Sequence, residues 1–381
     1  MTKRVLYLSG TRADYGLVRP VLSAIRESGD LSIEVAATGL HLMEEFGLTV
    51  QEILDDEFTV HRVPATYRKD TRESMATFVG ECTTLLVPLV QEVRPDILLL
   101  LGDRGEMLAG AIVGSYLSIP MVHIHGGEIT STVDEHVRHA ITKLAHVHCT
   151  ATARSAERII RMGEDPARVF VTGAPGLDSL IREQRPGREE VAREFGLDPG
   201  APVLLVIQHP VTQEYREAAA QMEETMEAVA SLGMQTVVVY PNADAGGRAM
   251  ISVIRSYGHL PFLRVRPSIP RRQFLGLLAS TSVLVGNSST GIIEAPLLHI
   301  PAVNIGSRQA GRERGENLID VDCRRDAIRD AIRKALTDRT FREQVARGTS
   351  PYGDGRATER ILGILRSLDP GTFPLQKRLT Y

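Results

Sequence analysis

The sequence predicts an α/β protein with two doubly wound halves, each built on a mostly parallel sheet. Short apolar runs alternate with amphipathic stretches along most of the chain, as they do in repeated strand–helix–strand units. The alternation pauses near residues 184–202 and then restarts. A chain of 381 residues is also long for one compact core, so two domains are expected.

The first half contains six predicted strands, each a short, largely apolar run with helical stretches between most of them. These runs are residues 5–8, 33–37, 97–101, 121–124, 147–150 and 169–172. After the first run, apolar residues recur at helical spacing from Leu17 to Ile25. A helix should therefore follow the first strand and cover the sheet.

The second half repeats the pattern after the Pro- and Gly-containing segments EQRPGREE and GLDPGAP. Its predicted strands are residues 203–207, 236–240, 283–285 and 302–305, and a long amphipathic helix is predicted over 213–232. We predict domains of residues 1–190 and 191–365, followed by a loosely held tail, 366–381, that lacks periodicity. The two sheets should leave a cleft at the carboxyl ends of their strands, where open α/β sheets bind ligands.

Composition argues against several classes of partner. Apolar residues make up 43% of the chain, charged residues 24%, and the net charge is −3, so no nucleic-acid partner is expected. The longest aliphatic run, residues 97–101, is far shorter than the roughly 18 residues that span a membrane. The three cysteines are far apart in sequence, which argues against a disulfide framework and fits a cytoplasmic protein.

The stretch SGTRADYG, residues 9–16, lies between the first strand and the helix that follows it. Gly10 permits a tight turn, and Arg12 offers a planar set of donors suited to phosphate. The alternative is a loop in which Arg12 only caps the helix or pairs locally. Its position at the ligand edge of the sheet favours binding.

The stretch GNSSTGIIEAP, residues 286–296, follows a strand and opens a helix. Ser288, Ser289, Thr290 and Gly291 would present N–H groups and hydroxyls to an anion. Simple N-capping by serine is the alternative, but it needs one hydroxyl rather than three and a glycine. Glu294 lies one turn further, where its carboxylate could accept hydrogen bonds from a ribose diol.

Two further polar sites follow predicted strands. In the stretch LLLGDRGE, Asp103 and Arg104 lie at the carboxyl end of a predicted strand, and His209 follows the first strand of the second half. A lone aspartate there is often a helix cap, and a lone histidine is often structural. Both nevertheless lie at the sheet edge where a ligand would bind.

The stretch HIHGGEITSTVDEHVRHAITKLAHVH, residues 123–148, holds six of the eleven histidines. It lacks the HExxH spacing of a helical zinc site, so we expect no metal. Its carboxylates, Glu128, Asp134 and Glu135, lie near a Gly-Gly turn, with Arg138 one turn further on. Together with Asp103 they are more typical of proton-transfer machinery than of a metal cage.

The motifs together resemble a known family. GTRADYG, GDRGE, HIHGGEIT with DEHVRHAITK, HP followed by TQE, YPNAD, GNSSTGIIEAP and NIGSRQAGR occur in the order seen in hydrolysing UDP-N-acetylglucosamine 2-epimerases of sialic acid biosynthesis. The similarity runs from residue 4 to about residue 320. It implies the GT-B fold, with two Rossmann-like domains, a nucleotide-sugar in the cleft between them, and a C-terminal helix that crosses back to the first domain.

The resemblance also implies roles for individual residues. The acid/base and orienting set would be Asp103, Glu128, Asp134 or Glu135, Arg138 and His209. The nucleotide-sugar would be bound by Arg12, Asn242, Ser288, Ser289, Thr290, Gly291, Glu294 and Arg312. One difference lies near the sugar pocket, where this chain has Ser131-Thr132 and relatives commonly have Glu-Gly.

The reaction implied is elimination of UDP from C1 and C2 of the sugar, followed by hydration of the glycal to free N-acetylmannosamine. It requires no metal and no other cofactor, and we expect a cytoplasmic homodimer. The alternatives are the same reaction on a UDP- or GDP-linked diacetamido sugar or on GDP-GlcNAc, as in legionaminic acid synthesis, and a non-hydrolysing epimerase. A GT-B glycosyltransferase and a non-catalytic nucleotide-sugar sensor are alternatives of a different class.

Overall fold

Seven parallel strands form the sheet of the first half of the chain. The structure, a computed structural model, describes residues 2–130 and 132–381. The strands of this sheet are β1 (Lys3–Ser9), β2 (Leu31–Ala37), β3 (Thr59–Arg62), β4 (Ile97–Leu101), β5 (Met121–Ile124), β6 (Val147–Thr150) and β7 (Val169–Val171). Their spatial order is β3-β2-β1-β4-β5-β6-β7. All five residues of the central strand β4 are buried, as expected for a strand covered on both faces.

A second parallel sheet of six strands forms the other half. Its strands are β8 (Leu204–Ile207), β9 (Thr236–Val239), β10 (Leu263–Arg266), β11 (Val283–Gly286), β12 (Ala302–Ile305) and β13 (Leu318–Val321). Their order, β10-β9-β8-β11-β12-β13, is that of a Rossmann sheet. The prediction of two doubly wound α/β domains is therefore confirmed.

Fifteen α-helices occur in the described residues and join or cover the strands. They are α1 (Arg12–Glu27), α2 (Val50–Asp55), α3 (Arg72–Val93), α4 (Gly105–Tyr116), α5 (Val133–Leu144), α6 (Ala153–Arg161), α7 (Gly176–Arg182), α8 (Arg188–Phe195), α9 (Ala218–Leu232), α10 (Gly247–Ser256), α11 (Arg271–Ser280), α12 (Thr290–Ile293), α13 (Arg325–Thr337), α14 (Arg339–Arg347) and α15 (Ala357–Ser367). Within the same residues, no helix combines the length and the apolar character needed to cross a membrane.

Sequence patterns missed three strands and misplaced one helix start. The missed strands are β3, β10 and β13, which lie at sheet edges and carry polar residues that break the apolar pattern. The helix predicted over 213–232 begins at Ala218, because residues Thr212–Glu217 form a 3₁₀ helix. Glu214 there is non-helical, and its carboxylate accepts from Gln221 at 2.7 Å and from Ser307 at 2.9 Å.

The C-terminal residues return to the first domain. Helix α15 packs against α1 and α7. Lys3, at the start of β1, donates to the carbonyls of Leu365, Arg366 and Leu368 at 2.6–3.1 Å. The expectation of a loosely held tail is wrong, since Phe373 and Lys377 also contact the first domain. The lack of periodicity in the tail therefore indicated a segment without helices or strands, not a segment that is weakly attached.

Candidate active site

A cleft of about 300 Å³ lies between the two sheets. Its walls are the segments that follow β1, β4, β8, β9 and β11, so the carboxyl ends of both sheets face the same space. An inner pocket of about 110 Å³ adjoins it. The two spaces share Leu17, Leu101, Gly102, Asp103, Ser289 and Arg308 in their linings. This arrangement places a small pocket beside a larger cleft.

Most of the predicted site residues line these two spaces. The larger cleft contains Arg12, Asp103, His209, Asn242, Ser288, Ser289, Thr290 and Glu294. The inner pocket contains Asp103, Glu128, Asp134, Arg138, Ser289 and Arg312. Arg12 and Glu294, which are 282 positions apart in sequence, thus meet in one place, which motif order alone does not require.

Two predicted residues, Glu135 and Gly291, are not in these linings. The Glu135 carboxylate accepts the backbone N–H of Thr130 at 2.7 Å, which is a local structural bond. A Cβ on Gly291 would lie 3.2 Å from Leu284 and 3.3 Å from Ala302, so this glycine faces the packed sheet. Its backbone N–H, the group predicted to bind phosphate, donates to the carbonyl of Ser288 at 3.2 Å, and contact with phosphate stays a prediction.

Glu128 is buried between the side chains of His125 and Arg312, which both donate to its carboxylate. Its Oε1 accepts the Nδ1–H of His125 at 2.8 Å, and its Oε2 pairs with Arg312 from the second domain. Burial alone would raise the pKa of Glu128, but Arg312 and His125 outweigh it and hold the pKa below its ordinary value. Glu128 is therefore a firmly ionised carboxylate.

Asp103 and Asp134 face the same pocket with opposite tendencies. Burial would raise the pKa of Asp103, but its ion pair with Arg138 lowers it, assisted by Arg312. Burial and then the charge of Asp103 raise the pKa of Asp134. Thr132 caps α5 and donates to Asp134 at 2.9 Å, whereas Ser131 lies outside the described residues. Asp134 is thus the pocket carboxyl that most readily carries a proton.

His209 is held as a neutral ring at the end of β8. Its Nδ1 accepts the backbone N–H of Asn242 at 3.1 Å, so the ring proton lies on Nε2. Burial, and then the charges of Arg308 and Arg104, lower the pKa of His209 well below its usual value. A neutral Nε2–H donor in the cleft suits a phosphate or sugar oxygen.

Glu294 and Arg12 each form an ion pair at the cleft. Glu294 accepts from the buried Arg271 at 2.8 Å. Arg12 pairs with Glu52 at 2.6 Å and also donates to Ser268 on the second domain. Both side chains are therefore fixed before a ligand binds.

The stretch predicted to bind phosphate, residues 286–296, forms less helix than its sequence suggested. Helix α12 has only four residues and continues into a 3₁₀ turn at Ala295–Leu298. A single turn sums few peptide dipoles, so the predicted contribution of a helix dipole is smaller than expected. The hydroxyls of Ser288, Ser289 and Thr290 nevertheless line the cleft.

The histidines of residues 123–148 have separate surroundings. His123 bonds the carbonyl of Gly102 at 2.7 Å, His125 bonds Glu128, and His148 contacts the buried Glu164 at 3.3 Å. Among residues 2–130 and 132–381, no group of three or more His, Cys, Asp or Glu side chains is arranged to hold a metal ion.

Comparison with known proteins agrees with this geometry. The profile of the UDP-N-acetylglucosamine 2-epimerase family matches residues 23–366. The chain belongs to this family. A UDP-N,N'-diacetylbacillosamine 2-epimerase (hydrolyzing) from Legionella pneumophila is 40% identical over 380 residues, covering 100% of this chain and 98% of that protein. A UDP-N-acetylglucosamine 2-epimerase from Neisseria meningitidis is 34% identical, covering 99% and 98%.

Solved structures share the fold of this epimerase-family chain. A UDP-GlcNAc 2-epimerase from Neisseria meningitidis, bound to UDP-GlcNAc, superposes with a TM-score of 0.79 at 17% identity, covering 96% of this chain and 100% of the other. A Methanocaldococcus jannaschii UDP-GlcNAc 2-epimerase, in complex with UDP-GlcNAc and UDP, gives 0.78 at 16% identity, covering 96% and 99%. The two-domain fold is therefore of the GT-B type.

Three residues of this epimerase-family site were quoted within motifs but given no role. Arg308 lines both spaces and lies 3.9 Å from Asp134. Arg104 pairs with Asp244 of the second domain at 3.1 Å, and Asp244 also accepts from Asn242 at 2.6 Å. The signal was present, because Arg308 is in NIGSRQAGR, Arg104 in GDRGE and Asp244 in YPNAD. The ion pair of Arg104 with Asp244 joins two motifs that lie far apart in sequence, so motif spacing did not predict it.

Proposed function

We propose that this family member is a hydrolysing 2-epimerase, which converts UDP-N-acetylglucosamine and water to N-acetylmannosamine and UDP. The observation that carries the proposal is the inner pocket, where carboxyl groups with opposed pKa shifts adjoin a nucleotide-sized cleft. Pairs of carboxyls whose surroundings separate their pKa values are typical of acid/base sites. A cytoplasmic homodimer supplying sialic acid biosynthesis is the cellular setting that we propose.

In the first step, a carboxylate accepts the C2 proton while the bond between C1 and the UDP oxygen breaks. The electron pair of the C2–H bond forms the C1–C2 double bond, and UDP leaves with the electrons of the C1–O bond. Positive charge develops at C1 as the bond lengthens, and the ionised Asp103 and Glu128 would stabilise it. Arg12, Arg308 and the Nε2–H of His209 would stabilise the departing diphosphate.

In the second step, water adds to C1 and a proton returns to the opposite face of C2. The atoms balance, because one water molecule supplies the hydroxyl bound to C1 and a proton equivalent to the one that C2 regains. Asp134 is the group we assign to proton transfer, since its raised pKa allows both protonation states near neutral pH.

A diacetamido sugar is the second candidate substrate. It is favoured by the 40% identity to the Legionella pneumophila protein, whose name specifies UDP-N,N'-diacetylbacillosamine. Leu17, Leu101 and Ile293 in the inner pocket offer apolar contacts that suit the methyl of an acetamido group, which both candidates carry. The pocket chemistry therefore fits either sugar.

The test is product analysis with UDP- and GDP-linked sugars in D₂O, with EDTA present. We expect UDP release and a free sugar that carries deuterium at C2, detected by mass spectrometry and NMR. A 2-epimerised sugar still attached to UDP would indicate a non-hydrolysing enzyme. A free sugar without C2 deuterium, or a requirement for added metal, would contradict the proposed mechanism. The relative turnover of the two UDP-sugars identifies the substrate.

A further inference from the structure

We propose that the C-terminal segment 368–381 is a positioning element of the active site, acting through Lys377 on helix α5. This inference rests on the proposed function, because it gives the segment a role in that reaction. Helix α5 begins beside the inner pocket, where Thr132, Asp134 and Arg138 are lining residues. The C-terminal segment contacts the other end of the same helix.

Lys377 binds the last carbonyls of α5. Its ammonium group donates to the carbonyls of Thr142 at 3.1 Å and Lys143 at 2.8 Å, and also to that of Ala145. The last carbonyls of a helix have no partner within the helix, and a cation there also interacts favourably with the helix dipole. Lys377 therefore acts as a cap supplied by a distant part of the chain.

Glu164 joins this cap to the rest of the first domain. Its buried carboxylate pairs with Lys377 at 2.6 Å and with Lys143 of α5 at 2.6 Å, and His148 of β6 lies 3.3 Å away. Nearby, the ring of Phe373 contacts His146 edge-on, with centroids 5.9 Å apart. The end of α5 is thus fixed to the segment, to β6 and to the loop after α6.

Two routes connect this end of α5 to the reacting groups. The helix itself is the first, since 12 residues span about 18 Å and move as one rigid element that carries Asp134 and Arg138. The second is a chain of hydrogen bonds in which Thr142 Oγ1 donates to His123 Nδ1 at 3.3 Å, and His123 Nε2 donates to Gly102 O at 2.7 Å. Gly102 directly precedes Asp103. The carboxyl groups of Asp103 and Asp134 therefore both depend on the position of α5.

The test compares three variants by turnover, UDP affinity and amide hydrogen exchange. Lys377→Met keeps the alkyl stem and removes the donors, Lys377→Arg restores a cation, and Arg378→Ala removes the exposed neighbouring charge as a control. We expect Lys377→Met to lower kcat at least about tenfold, because small displacements of catalytic groups are costly. UDP affinity should change less than about twofold, since the cleft residues of the second domain are untouched.

Further readouts separate positioning from general destabilisation. Amide exchange across residues 133–144 should rise in Lys377→Met and fall back toward the wild-type rate in Lys377→Arg, with kcat recovering in parallel. Equal losses of kcat and UDP affinity, equal effects in Arg378→Ala, or a folded Lys377→Met with wild-type kcat would overturn the inference. If Lys377→Met does not fold, Lys377→Gln, which keeps a donor but not the charge, is compared in the same assays and judged by the same outcomes.

The exchange measurement is independent of the proposed reaction. If wild-type protein releases UDP from none of the nucleotide sugars, the proposed function fails, whereas unchanged exchange of α5 in Lys377→Met overturns the positioning role by itself. If turnover is present and exchange changes without any loss of kcat, the segment stabilises α5 but does not position the site, and the inference is likewise wrong.

Discussion

At the residue scale, three carboxyl groups share the inner pocket, but each faces different charges. Glu128 lies between Arg312 and His125, Asp103 pairs with Arg138, and Asp134 has Arg308 only at 3.9 Å. Since an adjacent cation stabilises the ionised form, Glu128 and Asp103 remain charged while Asp134 can exchange its proton. Similar side chains thereby acquire different roles from their neighbours.

The first prediction concerns Glu128. Glu128→Gln keeps the shape but removes the charge and leaves Arg312 without its buried counter-ion, so turnover should fall by about 10²–10³, the usual cost of losing one group that stabilises transition-state charge. Initial rates of UDP release measure this. Glu135→Gln is the matched control, because Glu135 lies outside the cleft linings and should retain most activity. A fully active Glu128→Gln would move the charge-stabilising role to Asp103.

A second residue-scale prediction concerns Glu106, which is buried on α4. Within residues 2–130 and 132–381, neither of its carboxylate oxygens has a hydrogen-bond partner. Burial raises the pKa of Glu106 from 4.5 to about 7. The unfolded group loses its proton near pH 4.5 whereas the folded group keeps it to about pH 7, so the free energy of unfolding must fall as pH rises through that window.

Glu106→Gln should therefore lose this pH dependence. As pH rises from 5 to 8, the free energy of unfolding of Glu106→Gln should increase by about 2–3 kcal/mol relative to that of wild type. Urea unfolding followed by circular dichroism at both pH values measures the gain, with the exposed Glu44→Gln as control. An identical pH dependence in Glu106→Gln and wild type would show that Glu106 titrates normally.

At the element scale, short elements position the groups that we propose to bind the nucleotide. Helix α12 is a single turn, so Glu294, which directly follows it, stays close to Ser288–Thr290 and lines the same cleft. Arg271 at the start of α11 fixes the Glu294 carboxylate. The β11–α12 and α11 segments together thus define one binding wall.

The prediction at this scale is that Glu294→Ala weakens UDP binding by about 1–3 kcal/mol, the usual cost of losing a charged hydrogen bond. The substitution also leaves Arg271 without its partner at the edge of the cleft. Titration calorimetry with UDP measures the change. Glu190→Ala, an exposed carboxylate on α8, should bind UDP as wild type does. Unchanged affinity in a folded Glu294→Ala would exclude a contact with the ribose.

At the scale of the whole molecule, polar contacts link the two domains beside the cleft. Asp70 of the first domain accepts the N–H groups of Gly246 at 2.7 Å and Ala249 at 3.2 Å, and so caps α10 of the second domain. Arg104 pairs with Asp244, and Arg72 donates to the carbonyl of Thr212 at 2.6 Å. Removing such contacts should favour an open cleft.

Asp70→Ala should therefore weaken UDP binding severalfold, because apparent affinity falls with the fraction of molecules that are closed. Small-angle scattering should give the free variant a larger radius of gyration than wild type, and saturating UDP should reduce the difference. Glu81→Ala, which loses an ion pair with Arg68 inside the first domain, is the control. Equal affinity and equal dimensions in Asp70→Ala and wild type would contradict this role.

The sequence by itself determined the fold class and the family, and most of the site residues that it predicted line the cleft or the inner pocket. Alternation of apolar and amphipathic stretches is a local property, and residues at the carboxyl ends of parallel strands meet at one sheet edge whatever their separation. That is why Asp103, His209 and Ser288 were predictable. The edge strands β3, β10 and β13 were not, because their polar residues lack the apolar pattern.

Only the tertiary structure decided which neighbour each charge meets. Helical rotation directs Asp134 into the pocket and Glu135 away from it, although the two are adjacent in sequence. Contacts between distant segments, such as Arg312 with Glu128 and Lys377 with Glu164, set the charges and the position of α5. Such contacts depend on the packing of whole domains, which no local pattern in the sequence encodes.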